Sequence, residues 1–187
     1  YFTVSGKRLY NPRSVVMALR FNQISNYWTS SGPYDEIFYY IQISDQMLEA
    51  TLSGDTQKMA DILQYAHNTE SPILSYNNEI ELSAIVNLVY LSARNKYRIE
   101  REDKAGKGYV DFIFYPWNVS EPCIILELKV DSSPEEAIQQ IRDKDYILRF
   151  RGKLGENRNY TGKILGVGIS YDRKTKEHQC KIEILSN

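Results

Sequence analysis

The chain has 187 residues, 42% hydrophobic and 25% charged, with a formal net charge of −1, a composition that fits one medium globular domain or a small domain with an appendage. That charge excludes a protein that coats nucleic acid by bulk electrostatics, and no run reaches the ~18 apolar residues of a membrane span. The start at Tyr1 has no initiator Met and no charged stretch leading into an apolar run, so we expect a cytoplasmic protein without a secretory signal, cut from something longer.

Two parts are expected along the chain. Residues 1–70 read as mainly helical. Val15, Val16 and Leu19 recur at helical spacing after the entry turn Asn11-Pro12, and a loop follows at Ser30-Ser31-Gly32-Pro33. Tyr34–Leu52 and Thr56–His67 then form two amphipathic helices joined by Ser53-Gly54-Asp55, the second with Met59, Ile62, Leu63 and Ala66 on one stripe. Ser71-Pro72 marks the boundary to residues 71–187, which begin with a helix from Asn78 to Asn95 that buries Leu82, Ile85, Val86, Val89 and Tyr90. Strands are expected at Tyr97–Arg101, Tyr109–Tyr115 and Cys123–Val130. Ser133-Pro134-Glu135-Glu136 is a capping box with Pro at the first helical position, opening a helix to Phe150. Strands Ile164–Tyr171 and Gln179–Leu185 close the chain around a turn at Asp172-Arg173-Lys174-Thr175. Helix, three strands, helix and two strands make an α/β domain with a mixed sheet flanked by helices, preceded by the small helical segment.

The chemistry gathers on two strands. Residues two apart on a strand share a face, roughly 6.5–7 Å from each other. Leu126, Leu128 and Val130 therefore point one way, and Ile125, Glu127 and Lys129 the other. Burying a lone Glu or Lys costs several kcal/mol, so each needs a partner or a metal. Asp111 lies on the face of its strand opposite Phe112 and Phe114, and neighbouring strands would bring it to Glu127. Two adjacent carboxylates repel unless a divalent cation lies between them, and Mg²⁺ accepts a few carboxylate oxygens plus retained waters. Lys129 could then orient an attacking water or stabilise charge on a phosphate. Strand spacing by itself leaves a second reading open: a Glu–Lys pair at a sheet edge, with Asp111 an ordinary strand residue.

A longer register surrounds these residues. Glu79 opens an amphipathic helix, and Gly106-Lys107-Gly108-Tyr109-Val110-Asp111, Ile124-Ile125-Leu126-Glu127-Leu128-Lys129 and Pro134-Glu135-Glu136-Ala137-Ile138-Gln139-Gln140-Ile141 follow in order. Lys144-Asp145-Tyr146 and Gly166-Val167-Gly168-Ile169-Ser170-Tyr171-Asp172 continue it. Residues 71–187 thereby resemble the PD-(D/E)XK nuclease superfamily, in the branch whose domains sit C-terminal to AAA-ATPase-like regions of bacterial proteins. Tyr10-Asn11-Pro12 and Asn26-Tyr27-Trp28 resemble the end of such an ATPase-like region, although no G-x-x-x-x-G-K-[ST] phosphate loop is present. The resemblance implies a restriction-endonuclease-like fold and a Mg²⁺- or Mn²⁺-dependent nuclease acting on nucleic acid, DNA before RNA. It gives Asp111 and Glu127 the part of metal ligands and Lys129 that of catalytic lysine. Glu79 would be the additional metal-binding acid, with Glu81 open as the alternative, and Gln140 a supporting polar member of the catalytic set. Tyr146, Lys144 and Arg142 would contact substrate. The pattern departs at Val110, where the name motif has Pro.

Charge is uneven around the second helix. Residues 142–163 hold Arg142, Lys144, Arg149, Arg151, Lys153, Arg158 and Lys163 against Asp143, Asp145 and Glu156, which reads either as a solvated face or as a phosphate-contacting patch. Cys123 and Cys180 are expected as buried reduced thiols, His67 and His178 as surface or capping residues, and Trp28 and Trp117 as core or loop anchors. The alternative to a nuclease is a catalytically silent nucleic-acid-binding or protein-interaction module that regulates the ATPase part.

Overall fold

A computed structural model describes residues 32–70, 79–105, 108–147 and 160–186. The expected helix at 14–21, Trp28, the Ser71-Pro72 boundary and the basic residues 149–158 lie outside them. The chain divides into two compact units, Tyr1–Gln42 and Ile43–Asn187. Of the first, only the helical residues 32–42 are described.

Helix α1, Gly32–Ser53, ends in the second unit. There Ile43, Met47, Leu48 and Ala50 are buried at helical spacing. Gly54 takes a positive φ of 81° to turn the chain, Asp55 accepts from the Lys58 amide, and helix α2, Thr56–Glu70, follows. Its expected stripe of Met59, Ile62, Leu63 and Ala66 is buried. Helix α3, Glu79–Val89, buries Leu82, Ile85, Val86 and Val89, but the expected helix to Asn95 changes to a 3-10 turn at Leu91–Asn95.

Five strands complete the second unit: β1 (Tyr97–Ala105), β2 (Gly108–Pro116), β3 (Cys123–Val130), β4 (Ile164–Asp172) and β5 (Glu177–Ser186). They form one mixed sheet in chain order, antiparallel except for the parallel β3–β4 pair. A parallel pair needs a crossover, and helix α4, Pro134–Asp143, lies in it. Ser133 caps α4 by accepting from the Glu136 amide, as the sequence leads one to expect. The reciprocal arm differs: Glu136 accepts from the Ser132 hydroxyl. The helix stops at Asp143 rather than continuing towards Phe150, because Asp145 turns to a φ of 55° and the Tyr146 amide folds back onto the Ile141 carbonyl.

Strand alternation sorts the core into two layers. Phe112, Phe114, Ile124, Leu126, Leu128, Val167 and Ile169 pack with α2, α3 and the last turns of α1. Ile113, Tyr115, Cys123 and Ile125 pack with Ile138 and Ile141 of α4 on the other face. Each fully buried aliphatic side chain contributes about 1.5–3 kcal/mol, so these layers hold the sheet rigid between the helices. No described helix is long and apolar enough to cross a membrane.

Candidate active site

The site grows out of a gap between two strands. The β2–β3 ladder runs only from Phe114–Ile124 to Phe112–Leu126, whereas β2 stays paired with β1 beyond it. At the next position Asp111 uses its side chain: Oδ2 accepts from the Leu128 amide at 2.8 Å. The carboxylate thus satisfies a backbone donor past the end of the ladder, and lies on the same face as Glu127.

Glu127 is the buried acid of the pair, with 3% of its surface exposed. Its Oε1 accepts from Gln140 Nε2 of α4 and lies 3.5 Å from Lys129 Nζ. Its Oε2 is buried and has no hydrogen-bond partner among the described residues. Burial, and then the negative charge of Asp111, push the Glu127 carboxyl up to about 8, against the opposing pull of Lys129.

Lys129 reaches a second acid. Its Nζ lies 3.4 Å from Glu79 Oε1 at the start of α3. That helix start is tied to the sheet through Ser83, whose Oγ accepts from Arg101 of β1 and donates to the Ile80 carbonyl. Of the two acids left open by the sequence, Glu79 is thus the one beside Lys129. Glu81 is half-buried about 200° further round the helix.

Asp111, Glu127, Lys129, Glu79 and Gln140 are therefore linked, directly or through one another, around one spot. Of the three residues expected to touch substrate, Tyr146 and Arg142 are engaged elsewhere. Tyr146 is fully buried, and its hydroxyl donates to the Tyr109 carbonyl. Arg142 is turned to β5, where it donates to Glu183. Lys144 is the C-cap of α4, one turn beyond Gln140 on the same side of the helix. The Tyr109 carbonyl could not have been read from the sequence, because a backbone acceptor carries no residue signature.

Outside the site, both histidines depart from the surface role expected of them. His67 and His178 are buried, their rings tilted against Tyr171 at 4.9 and 4.8 Å between centroids. Trp117 is an exposed loop residue, and Cys123 and Cys180 are free thiols.

The donor set can be weighed against a divalent cation. Among the described residues, no three His, Cys, Asp or Glu side chains gather closely enough to enclose an ion. Asp111 and Glu127 share a face, near enough for the Asp111 charge to act on the Glu127 carboxyl, and Glu127 Oε2 is buried without a hydrogen-bond partner among the described residues. Two carboxylates that raise each other's cost of ionisation suit a hard cation that keeps most of its shell as water. Comparison with protein families finds that the model of the PD-(D/E)XK nuclease superfamily matches residues 79–179, more than half of the chain. Among curated proteins, none matches.

Proposed function

The chain belongs to the PD-(D/E)XK nuclease superfamily, whose members generally hydrolyse phosphodiester bonds with the help of divalent metal ions, and from that premise we propose that it is a Mg²⁺- or Mn²⁺-dependent nuclease acting on DNA. The observation that carries this reading is Glu127: one oxygen held by Gln140 beside Lys129, the other buried and unsatisfied next to Asp111.

In this reading Asp111 and Glu127 hold the ion, with Glu79 as a further acid reaching the site through Lys129. A divalent cation there would supply Lewis acidity and lower the pKa of water. The protein's own part is positional. Asp111 is fixed by the Leu128 amide and Glu127 by Gln140, so neither carboxylate has to reorganise during the reaction. Lys129 has a compact, rotatable ammonium between Glu79 and Glu127, suited to orienting a water and offsetting charge on the phosphate oxygens. Lys144, on the Gln140 side of α4, is a candidate for a phosphate contact.

We further read the residues ahead of Ile43 as the end of an upstream AAA-ATPase-like region of a cytoplasmic protein, since residues 43–70, expected with that region, share the core of the second unit. Incubating plasmid and linear DNA with the protein in Mg²⁺ or Mn²⁺ tests the activity. Cleavage should stop in EDTA and fall by at least about 100-fold in Glu127→Ala and Lys129→Ala. Equal cleavage by wild type and both variants would sink the proposal. Metal-dependent DNA binding without cleavage would favour the silent binding module.

A further inference from the structure

Tyr146 has a fully buried ring and a hydroxyl with two polar neighbours. It donates to the Tyr109 carbonyl, and Gln140 Nε2 lies 3.4 Å from its oxygen. A phenol carries one hydrogen. With that hydrogen committed to Tyr109, only lone pairs face Gln140, so Gln140 has to present its amide nitrogen and not its carbonyl oxygen. The second hydrogen of the same nitrogen is the one that Glu127 Oε1 accepts.

With Glu127 ionised, as holding a cation requires, a flipped Gln140 would set its oxygen against that carboxylate and against the phenol lone pairs at once, two repulsive contacts in a poorly solvated place. Burial also pushes the Tyr146 phenol up to about 12, so it stays a donor throughout the neutral range. Tyr109 stands two residues before Asp111 on β2, so the same hydroxyl ties the end of α4 to the strand that carries the other acid.

We propose that Tyr146 is a positioning residue: acting through the Gln140 amide, it decides which Glu127 oxygen is bound to protein and which is turned out to hold a divalent cation. This rests on the reading of Asp111 and Glu127 as metal ligands. It replaces the substrate contact that the sequence suggested for Tyr146 with an indirect part in metal affinity.

Calorimetric titration with Mn²⁺ alone tests it, without any need for turnover. Tyr146→Phe keeps the ring and removes the hydroxyl, and should weaken Mn²⁺ binding about ten-fold. Gln140→Leu should do the same. The double variant should be no weaker than Gln140→Leu by itself, since the hydroxyl has nothing left to act through. In cleavage assays the Mn²⁺ concentration for half-maximal rate should rise in Tyr146→Phe while KM for DNA, measured at saturating Mn²⁺, stays unchanged. Wild-type Mn²⁺ affinity in Tyr146→Phe would overturn the proposal, as would a double variant showing the two losses multiplied together. If Tyr146→Phe does not fold, nuclear Overhauser contacts from the Gln140 side-chain amide hydrogens to the Tyr146 ring in the wild-type protein are expected, and their absence rejects the idea. The underlying reading fails separately, when Glu127→Gln binds Mn²⁺ as tightly as wild type.

Discussion

Glu127 is subject to opposing demands. Its surroundings penalise the charged form through burial and through Asp111, and hold only one of its oxygens. An isosteric Glu127→Gln change keeps an Oε1 acceptor and removes a carboxyl held at about 8 against the ordinary 4.5, so at pH 7, where wild type has to take up a proton to fold, the metal-free variant should be more stable by about 1 kcal/mol or more. The same change should abolish the rise in melting temperature that Mn²⁺ gives the wild-type protein, because an ion bound only by the folded state stabilises it by mass action. Thermal denaturation with and without Mn²⁺ reads both effects. A variant that melts lower than wild type without metal would show that the carboxylate is structural. The alternation that set Glu127 and Lys129 apart from Leu126 and Leu128 was plain in the sequence, because period two is a property of the strand itself. The part played by Tyr146 was not: it depends on a backbone carbonyl 37 residues away and on a helix that ends early.

Helix α4 carries Gln140, and its closeness to the sheet depends on Gly168. A Cβ built on Gly168 would overlap the Pro134 carbonyl, a backbone atom that cannot swing aside. Gly168→Ala should therefore cost about 2–3 kcal/mol and move Gln140 away from Glu127. Gly54 offers a contrast: its surroundings are open, and only its φ of 81° resists a side chain. Gly54→Ala should cost about 1–2 kcal/mol with the site untouched. Urea denaturation alongside Mn²⁺ titration separates the two, and equal Mn²⁺ affinity in both variants would contradict the assigned part of Gly168. The seam between α2 and strands β4 and β5 has its own signature. His178 Nδ1 donates to Gln64 Oε1 at 3.0 Å and its ring packs at a tilt on Tyr171, with His67 beside both. Burial, and then His67, hold it down to about 3 from the usual 6.5. Between those values the unfolded chain binds the extra proton and the folded one does not, so stability drops on acidification from pH 6.5 towards 3, by up to about 1.4 kcal/mol per pH unit. Urea midpoints at pH 7, 5 and 4 should fall less steeply in His178→Phe, and parallel curves would show that His178 does not set the acid response. The sequence placed the strands and the capped start of α4 because those signals are local. It misplaced the histidines because their burial depends on contacts between α2 and the last two strands, His67 with Tyr171 and His178 with Gln64, more than a hundred positions apart.

On the scale of the molecule, a net charge of −1 poses a question for a protein read as a nuclease: what draws a polyanion to it? Much of the described basic charge is already bridged. Arg142 pairs with Glu183, Arg173 with Asp131, Lys181 with Glu135 and Glu183, and Arg98 with Glu100. At the site Lys129 faces Glu79 and Glu127, with Asp111 adjacent, so the metal-free cluster repels phosphate more than it attracts it. A divalent ion there reverses the sign of the local field. DNA affinity should therefore be coupled to metal. With Ca²⁺, a hard oxygen-seeking ion, a labelled duplex should bind at least about ten-fold more tightly than in EDTA, a coupling of about 1.4 kcal/mol. If the metal site carries the binding, the logarithmic salt dependence should be shallow, with a slope of about −2 to −3 for two or three phosphate contacts. Fluorescence anisotropy across a salt series, with and without Ca²⁺, measures both quantities. Tight binding that ignores EDTA and weakens steeply with salt would place the DNA on a basic surface away from Asp111 and Glu127, and would turn the reading from a nuclease towards a binding module.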